Sequence, residues 1–233
     1  MNKELKEIED WNRLRSKLNN DYDYNSDWKD AIELFVHRLE SKFFEPLESI
    51  IKKQRLKGEG FTIVTVQCAL IESLASFRTG QIFLHKAVKG QPKYIYNHSG
   101  KMFTDFLLSA SIFENNFYKK NASGATLNDP FNAQDFYTNV RCGLMHEAKT
   151  KGNWHINATK KNIEKDKIFL EQDGLKIKIL RSVLHYRLKQ YLTEYSSDLT
   201  QDSNNYLRRL FARKMDNLFE IAVDTTYDWW LDY

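Results

Sequence analysis

Residues 136–154 read FYTNVRCGLMHEAKTKGNW. The stretch starts with apolar residues at helical spacing and ends in lysines, glycine and asparagine, so one helix stops here and the chain changes its period. Asn128, Asp129 and Pro130 just upstream supply a cap followed by proline at the first helical position, which predicts a helix over about 130–150. Two ionisable side chains sit in that helix, Arg141 and His146, with Gly143 between them. At 100° per residue, positions five apart lie about 140° from each other, so Arg141 and His146 do not share a face of a regular α-helix. A common centre requires the reach of arginine, a distortion near Gly143, or a second chain. Read from residues alone, Arg141 also fits a surface ion-pair partner and His146 a cation near a helix end.

Downstream, KIFLEQDGLKIKIL alternates with a period of two. Asp173–Gly174 is the two-residue turn of a predicted hairpin over about 167–179, pairing Leu170 with Ile177, Ile168 with Ile179 and Glu171 with Lys176. Trp154 to Ile156 is a candidate third strand. Elsewhere the helical period dominates. Helices are predicted at 2–18, from Ser26 or Asp27 with a kink or restart at Pro46, at 61–82, 101–118, 181–197 and 203–224. The expectation is a mainly α fold: an N-terminal helix 2–18, a core bundle 27–220 with a small β-hairpin insertion, and an acidic, aromatic tail 221–233. At 233 residues, the length suits a single domain over 1–233.

Hydrophobic residues make up 42% and charged ones 28%, with 9 Gly and 3 Pro, a composition that excludes a disordered or turn-rich chain. Cys68 and Cys142 both fall in apolar helical patterns and read as buried free thiols of a reducing compartment. MNKELKEIED at the N-terminus lacks the apolar core of a signal peptide. FTIVTVQCALIESLASF, about 17 residues and broken by Gln67 and Glu72, is short for a membrane span. The expected location is cytoplasmic, without a membrane. HEAKT begins like a zinc-protease helix, but Thr150 stands where H-E-x-x-H needs histidine. C-x-x-C pairs, phosphate-cradling glycine loops and G-x-S-x-G elbows are missing from the sequence, which argues against metal, nucleotide-loop and hydrolase-triad chemistry.

RCGLMHEA, an arginine and a histidine with four residues between them on a late helix of a helical bundle, resembles the signature of the HEPN superfamily, the higher eukaryote and prokaryote nucleotide-binding domains. The resemblance is specific over about twenty residues and architectural over roughly 27–220. It implies a HEPN-like bundle and metal-independent endoribonuclease activity on RNA, at a composite site where two protomers of a homodimer pack their motif helices. Neither cofactor nor metal is implied. His146 would be the general acid or base at the ribose 2′-hydroxyl and leaving oxygen, and Arg141 would stabilise the phosphorane charge. The family also suggests a growth-arrest toxin or an antiviral-defence effector. Cys142 departs from the polar residue that many active members carry after the arginine, so a non-catalytic HEPN-like module binding RNA or a protein partner is the alternative.

Glu72 has small or apolar neighbours one turn away in both directions, Cys68, Ala69, Ala75 and Ser76, and a carboxylate so placed needs a partner. Arg141 would make Glu72 a supporting residue of the site; Arg78 and Arg181 are the structural alternatives. Asn139 and Tyr137 are further supporting candidates for placing a phosphate. From Arg78 to Lys101 the sequence has no acid. Lys86, Lys89, Lys93 and Lys101, interleaved with Tyr94 and Tyr96, suit single-stranded RNA, or form a solvated loop. Lys149, Lys151, Lys160 and Lys161 form a second basic run. At the C-terminus, Asp216, Glu220, Asp224, Asp228 and Asp232 recur every four residues; such a run predicts a basic partner, either Arg208, Arg209 or Arg213 together with solvent, or the basic loop, within the chain or across a dimer.

Overall fold

The computed structural model describes residues 3–18, 22–53, 58–86, 90–128, 131–158 and 167–231. The chain is mainly helical, with small sheets. Helix α1 is Lys3–Leu18, and α2 is Ser26–Leu39. Asn25, one residue before the expected cap, accepts the backbone N–H groups of Asp27 and Trp28 at 3.0 and 3.1 Å. A π turn, Glu40–Phe44, leads into α3, Glu45–Lys52, with Pro46 in its first turn. Proline lacks the N–H that would continue an α ladder, so the helix widens and restarts there.

Helix α4, Glu59–Thr79, reaches the length and hydropathy of a membrane span, but 61% of its apolar window is buried inside the protein. Then come β1 (Ile82–Phe83), β2 (Ile95–Tyr96) and α5 (Ser99–Leu107). The helix expected to reach 118 stops at Leu107, and strands β3 (Tyr118–Lys120) and β4 (Thr126–Asn128) follow. Asn115 takes a left-handed φ of 64°, and the buried Asn116 side chain accepts the backbone N–H of Phe169 at 2.9 Å. Those two asparagines turn the chain into β3, downstream of the helix end, in a stretch whose hydrophobic spacing alone reads as helix.

The motif segment is α6 (Ala133–Phe136), a π turn (Tyr137–Cys142) and α7 (Gly143–Glu147). It starts later than predicted because Asn132 is the cap, its side chain accepting the Asp135 N–H at 2.9 Å; Asp129 and Pro130 lie outside the described residues. A three-stranded sheet follows in the order β5 (Trp154–Asn157), β7 (Lys176–Leu180), β6 (Leu170–Asp173). The hairpin exists, but its register is Leu170 with Ile179 and Glu171 with Lys178. Gly174, at φ +58°, takes the first of the two turn positions and Leu175 the second, the placement that a II′ turn asks of glycine. The slip from expectation is two residues, so every side chain keeps its predicted face.

The last helices are α8 (Arg181–Thr200) and α9 (Asn205–Leu218). Helix α9 ends short of the expected 224: Glu220 is left-handed at φ 57°, and the Ile221 and Glu220 N–H groups bond back to Asp216 and Asn217 at 2.9 and 3.2 Å. The acidic run is therefore not one helical face.

The described residues group into two compact units. One comprises 1–41, 74–99 and 192–233; the other comprises 42–73 and 100–191. The first has a core of Trp11, Trp28, Phe35, Phe77, Phe211 and Trp229. Inside it, Asp216 is fully buried and accepts the indole N–H of Trp11, Trp229 and Trp230 at 2.8–2.9 Å and the Arg15 Nε at 2.8 Å. Arg15 of α1 is thus the basic partner of Asp216 and also stands 3.9 Å from Asp224, Arg209 stands 3.9 Å from Asp228, and the tryptophans of the tail are anchors. The second unit packs Phe103, Phe113, Phe117, Phe136, Trp154 and Phe169.

Candidate functional site

The motif segment is fixed from its start. Asp135, just inside the Asn132 cap, accepts the Trp154 indole N–H at 2.8 Å and a hydrogen bond from the Asn139 amide. This pins the helical segment to the first strand of the sheet. The ladder then opens into the π turn, which contains Tyr137, Asn139 and Arg141. Such turns are frequent at functional sites because they shift the side-chain phase of a helix; this one ends at Cys142, just before Gly143, where a distortion was one of the three expected ways to give Arg141 and His146 a common centre.

Arg141 leaves this turn towards α4, where its Nη2 donates to Glu72 Oε2 at 2.8 Å. The two side chains are 19% and 21% exposed, so the pair is shielded but open at one edge. The sequence alternatives for Glu72 are otherwise engaged: Arg78 pairs with Asp198 at 2.5 Å and Arg181 faces Glu59 at 4.0 Å. Burial opposes the Arg141 charge, but the hydrogen bond and charge of Glu72 outweigh it and hold the guanidinium above its ordinary value. Its carbon also lies 5.6 Å from the Tyr137 ring centroid. Tyr137 in turn packs on Phe103 at 5.4 Å and on Gly100, where a Cβ would stand 3.1 Å from the ring. One turn before Glu72 lies Cys68, buried, its thiol pushed up to about 12 by desolvation against the pull of Arg141.

His146 is exposed on α7, beside Met145. Helix α7 closes on Ala148, left-handed at φ 54°, and the chain folds back so that Lys151 donates its N–H to the Asn139 carbonyl at 2.8 Å. Gly143 is required by this return: a Cβ there would be 2.5 Å from the Lys149 carbonyl oxygen. Arg141, Glu72 and Tyr137 are thus brought together, with Cys68 next to them. The Asn139 amide is committed to Asp135 instead of facing outward. Gly100, Asp135 and Trp154, which the sequence reading did not single out, hold the site's scaffold.

The basic segment divides. Lys86 and Lys93 are exposed in the first unit and Tyr96 is half-buried; Lys89 lies outside the described residues, as do Lys160 and Lys161. Tyr94 is not an exposed ring. It is 7% exposed, with the Arg213 guanidinium 4.3 Å from its centroid and Trp230 at 6.0 Å, so these two side chains hold it inward. Lys101 belongs to the second unit and pairs with Asp105 at 2.5 Å. Among the described residues no three His, Cys, Asp or Glu side chains converge as metal ligands would. Comparisons with protein-family models, curated proteins and solved structures give no match.

Proposed function

We propose that this chain is a metal-independent endoribonuclease of HEPN-like architecture, cutting RNA at a composite Arg141 and His146 site formed when two copies pair their motif helices, as a toxin or defence effector does. The observation that carries this reading is the Glu72–Arg141 ion pair. It holds a permanently charged planar fork in one orientation, in a side chain 19% exposed, which suits a phosphate whose charge grows in the transition state. His146, exposed on the following helix, is available to a second copy. As general base it would take the proton of a ribose 2′-hydroxyl, whose oxygen attacks the adjacent phosphorus, while Arg141 stabilises the extra charge until the P–O5′ bond breaks and the imidazolium returns its proton to the departing 5′-oxygen, leaving a 2′,3′-cyclic phosphate. Tyr137 supports the guanidinium from one side.

A second reading, a non-catalytic RNA-binding or protein-interaction module, is favoured by the same ion pair, because Glu72 already neutralises much of Arg141. Incubating the purified protein with single-stranded RNA and a chelator separates the two. Cleavage that is lost in both Arg141→Ala and His146→Ala supports the enzyme; intact RNA with wild-type protein supports the module.

A further inference from the structure

Residues 82–96 read IFLHKAVKGQPKYIY, and the described part of this stretch seats some side chains inside the first unit and leaves others at its surface. β1 and β2 pair in parallel, Ile82 with Ile95 and Phe83 with Tyr96. The ladder is closed by Ile82 N–H to the Tyr94 carbonyl at 2.7 Å and Leu84 N–H to the Tyr96 carbonyl at 2.9 Å. Ile82 and Tyr94 point inward, 5% and 7% exposed. Tyr94 is seated against Arg213 and Trp230, which makes the small ladder a fixed mount.

The outward side chains are aromatic. Phe83 is 39% exposed, with His85 at 5.0 Å and 78° and Tyr96 at 5.4 Å and 62° between rings. Lys86 and Lys93 are exposed on the same short segment, as is His98, and between Arg78 and Lys101 the sequence holds no acid. An acidic peptide would satisfy the lysines and leave the rings in water. A polyanion carrying flat apolar faces uses both, and unpaired bases are such faces, whereas bases in a duplex already cover one another.

We propose that Phe83, His85 and Tyr96 form a stacking platform for the unpaired bases of single-stranded RNA, with Lys86 and Lys93 on its phosphates. The proposal rests on the reading that RNA is the ligand of this chain, and does not require that the RNA be cut. Phe83 is its central residue, since both other rings pack on it.

The test is fluorescence anisotropy of an end-labelled single-stranded RNA, and of the same RNA annealed to its complement, with protein carrying His146→Ala so that the probe stays intact. Phe83→Ala and Tyr96→Ala should each weaken single-strand binding about tenfold, and Phe83→Trp should preserve it. Leu84→Ala, an exposed apolar neighbour without a π face, should stay within about twofold. Lys93→Gln should reduce the salt slope by about 0.7. Equal binding of the duplex, unchanged binding by Phe83→Ala with Tyr96→Ala, or loss with Phe83→Trp overturns the platform. Loss of binding on Phe83→Ala, when the protein with native His146 never cleaves RNA, keeps the platform and removes the enzyme; normal binding on Phe83→Ala, when the protein with native His146 does cleave, does the reverse.

Discussion

Arg141 and Glu72, 69 positions apart in sequence, meet through one Nη2 to Oε2 hydrogen bond of 2.8 Å. Each is about one-fifth exposed, so removing either partner leaves a shielded charge unpaired. Glu72→Gln and Arg141→Ala should each lower unfolding stability by about 1–3 kcal/mol. The double variant should lose less than the sum, with a coupling of about 1–2 kcal/mol measured by denaturant titration. Additive losses would mean that the pair contributes nothing as a pair. In the cleavage assay Glu72→Gln should reduce kcat more than it raises KM, because it loosens the orientation of Arg141 without removing its charge.

Gly143 offers a test of the scaffold beneath His146. A Cβ placed there lies 2.5 Å from the Lys149 carbonyl oxygen, a backbone atom that cannot rotate away. Gly143→Ala should cost about 1–3 kcal/mol as the return from α7 is pushed open, although alanine is the better helix former. A thermal melt that is unchanged or raised would contradict the tight return.

Much of this was legible. A carboxylate set among small and apolar neighbours had to find a cation, and Glu72 found the motif arginine. The hairpin was legible from Asp173–Gly174 between alternating strands, but its register was not, because glycine fits either turn position and only the paired strands choose between them. The π turn leaves no compositional trace, since it is a change of hydrogen-bond register; the angular separation of Arg141 from His146 offered a distortion near Gly143 only as one of three alternatives. The end of α9 was overrun because Glu220 adopts a left-handed backbone that hydrophobic spacing does not report; α5 ends at Leu107 although the apolar spacing runs on, and Asn115 turns the chain only further downstream. Asp216 looked like one of a row of surface acids. What distinguishes it is the arrival of Trp11, Arg15, Trp229 and Trp230 from both ends of the chain, a tertiary event outside any local window.

His185 gives the account a pH dependence. It is 6% exposed, neither ring nitrogen has a hydrogen-bond partner, and Glu48 Oε1 stands 3.6 Å from Nε2. Desolvation lowers its pKa below the ordinary 6.5, Glu48 opposes that shift, and Lys189, bonded to Glu48 at 2.7 Å, adds to it. The unfolded chain therefore binds the proton first as pH falls, so the stability from this site is present above about 6.5 and is lost as pH drops below it. Urea titrations across that range should show wild-type stability declining with acidity, and a shallower decline in His185→Gln. Parallel slopes would remove His185 from the explanation.

The composite site is tested most directly by mixing two inactive chains. Arg141→Ala and His146→Ala should each reduce RNA cleavage by about 100- to 1000-fold. If every site takes its arginine from one protomer and its histidine from the other, a mixed dimer keeps one complete site. An equimolar mixture, unfolded and refolded together, should then recover about a quarter of wild-type cleavage in the presence of chelator, since about half of the dimers are mixed and each has one working site of two. Recovery near that level is the predicted result. A mixture as inactive as its separate components, although mixed dimers form, would contradict a site shared between two copies.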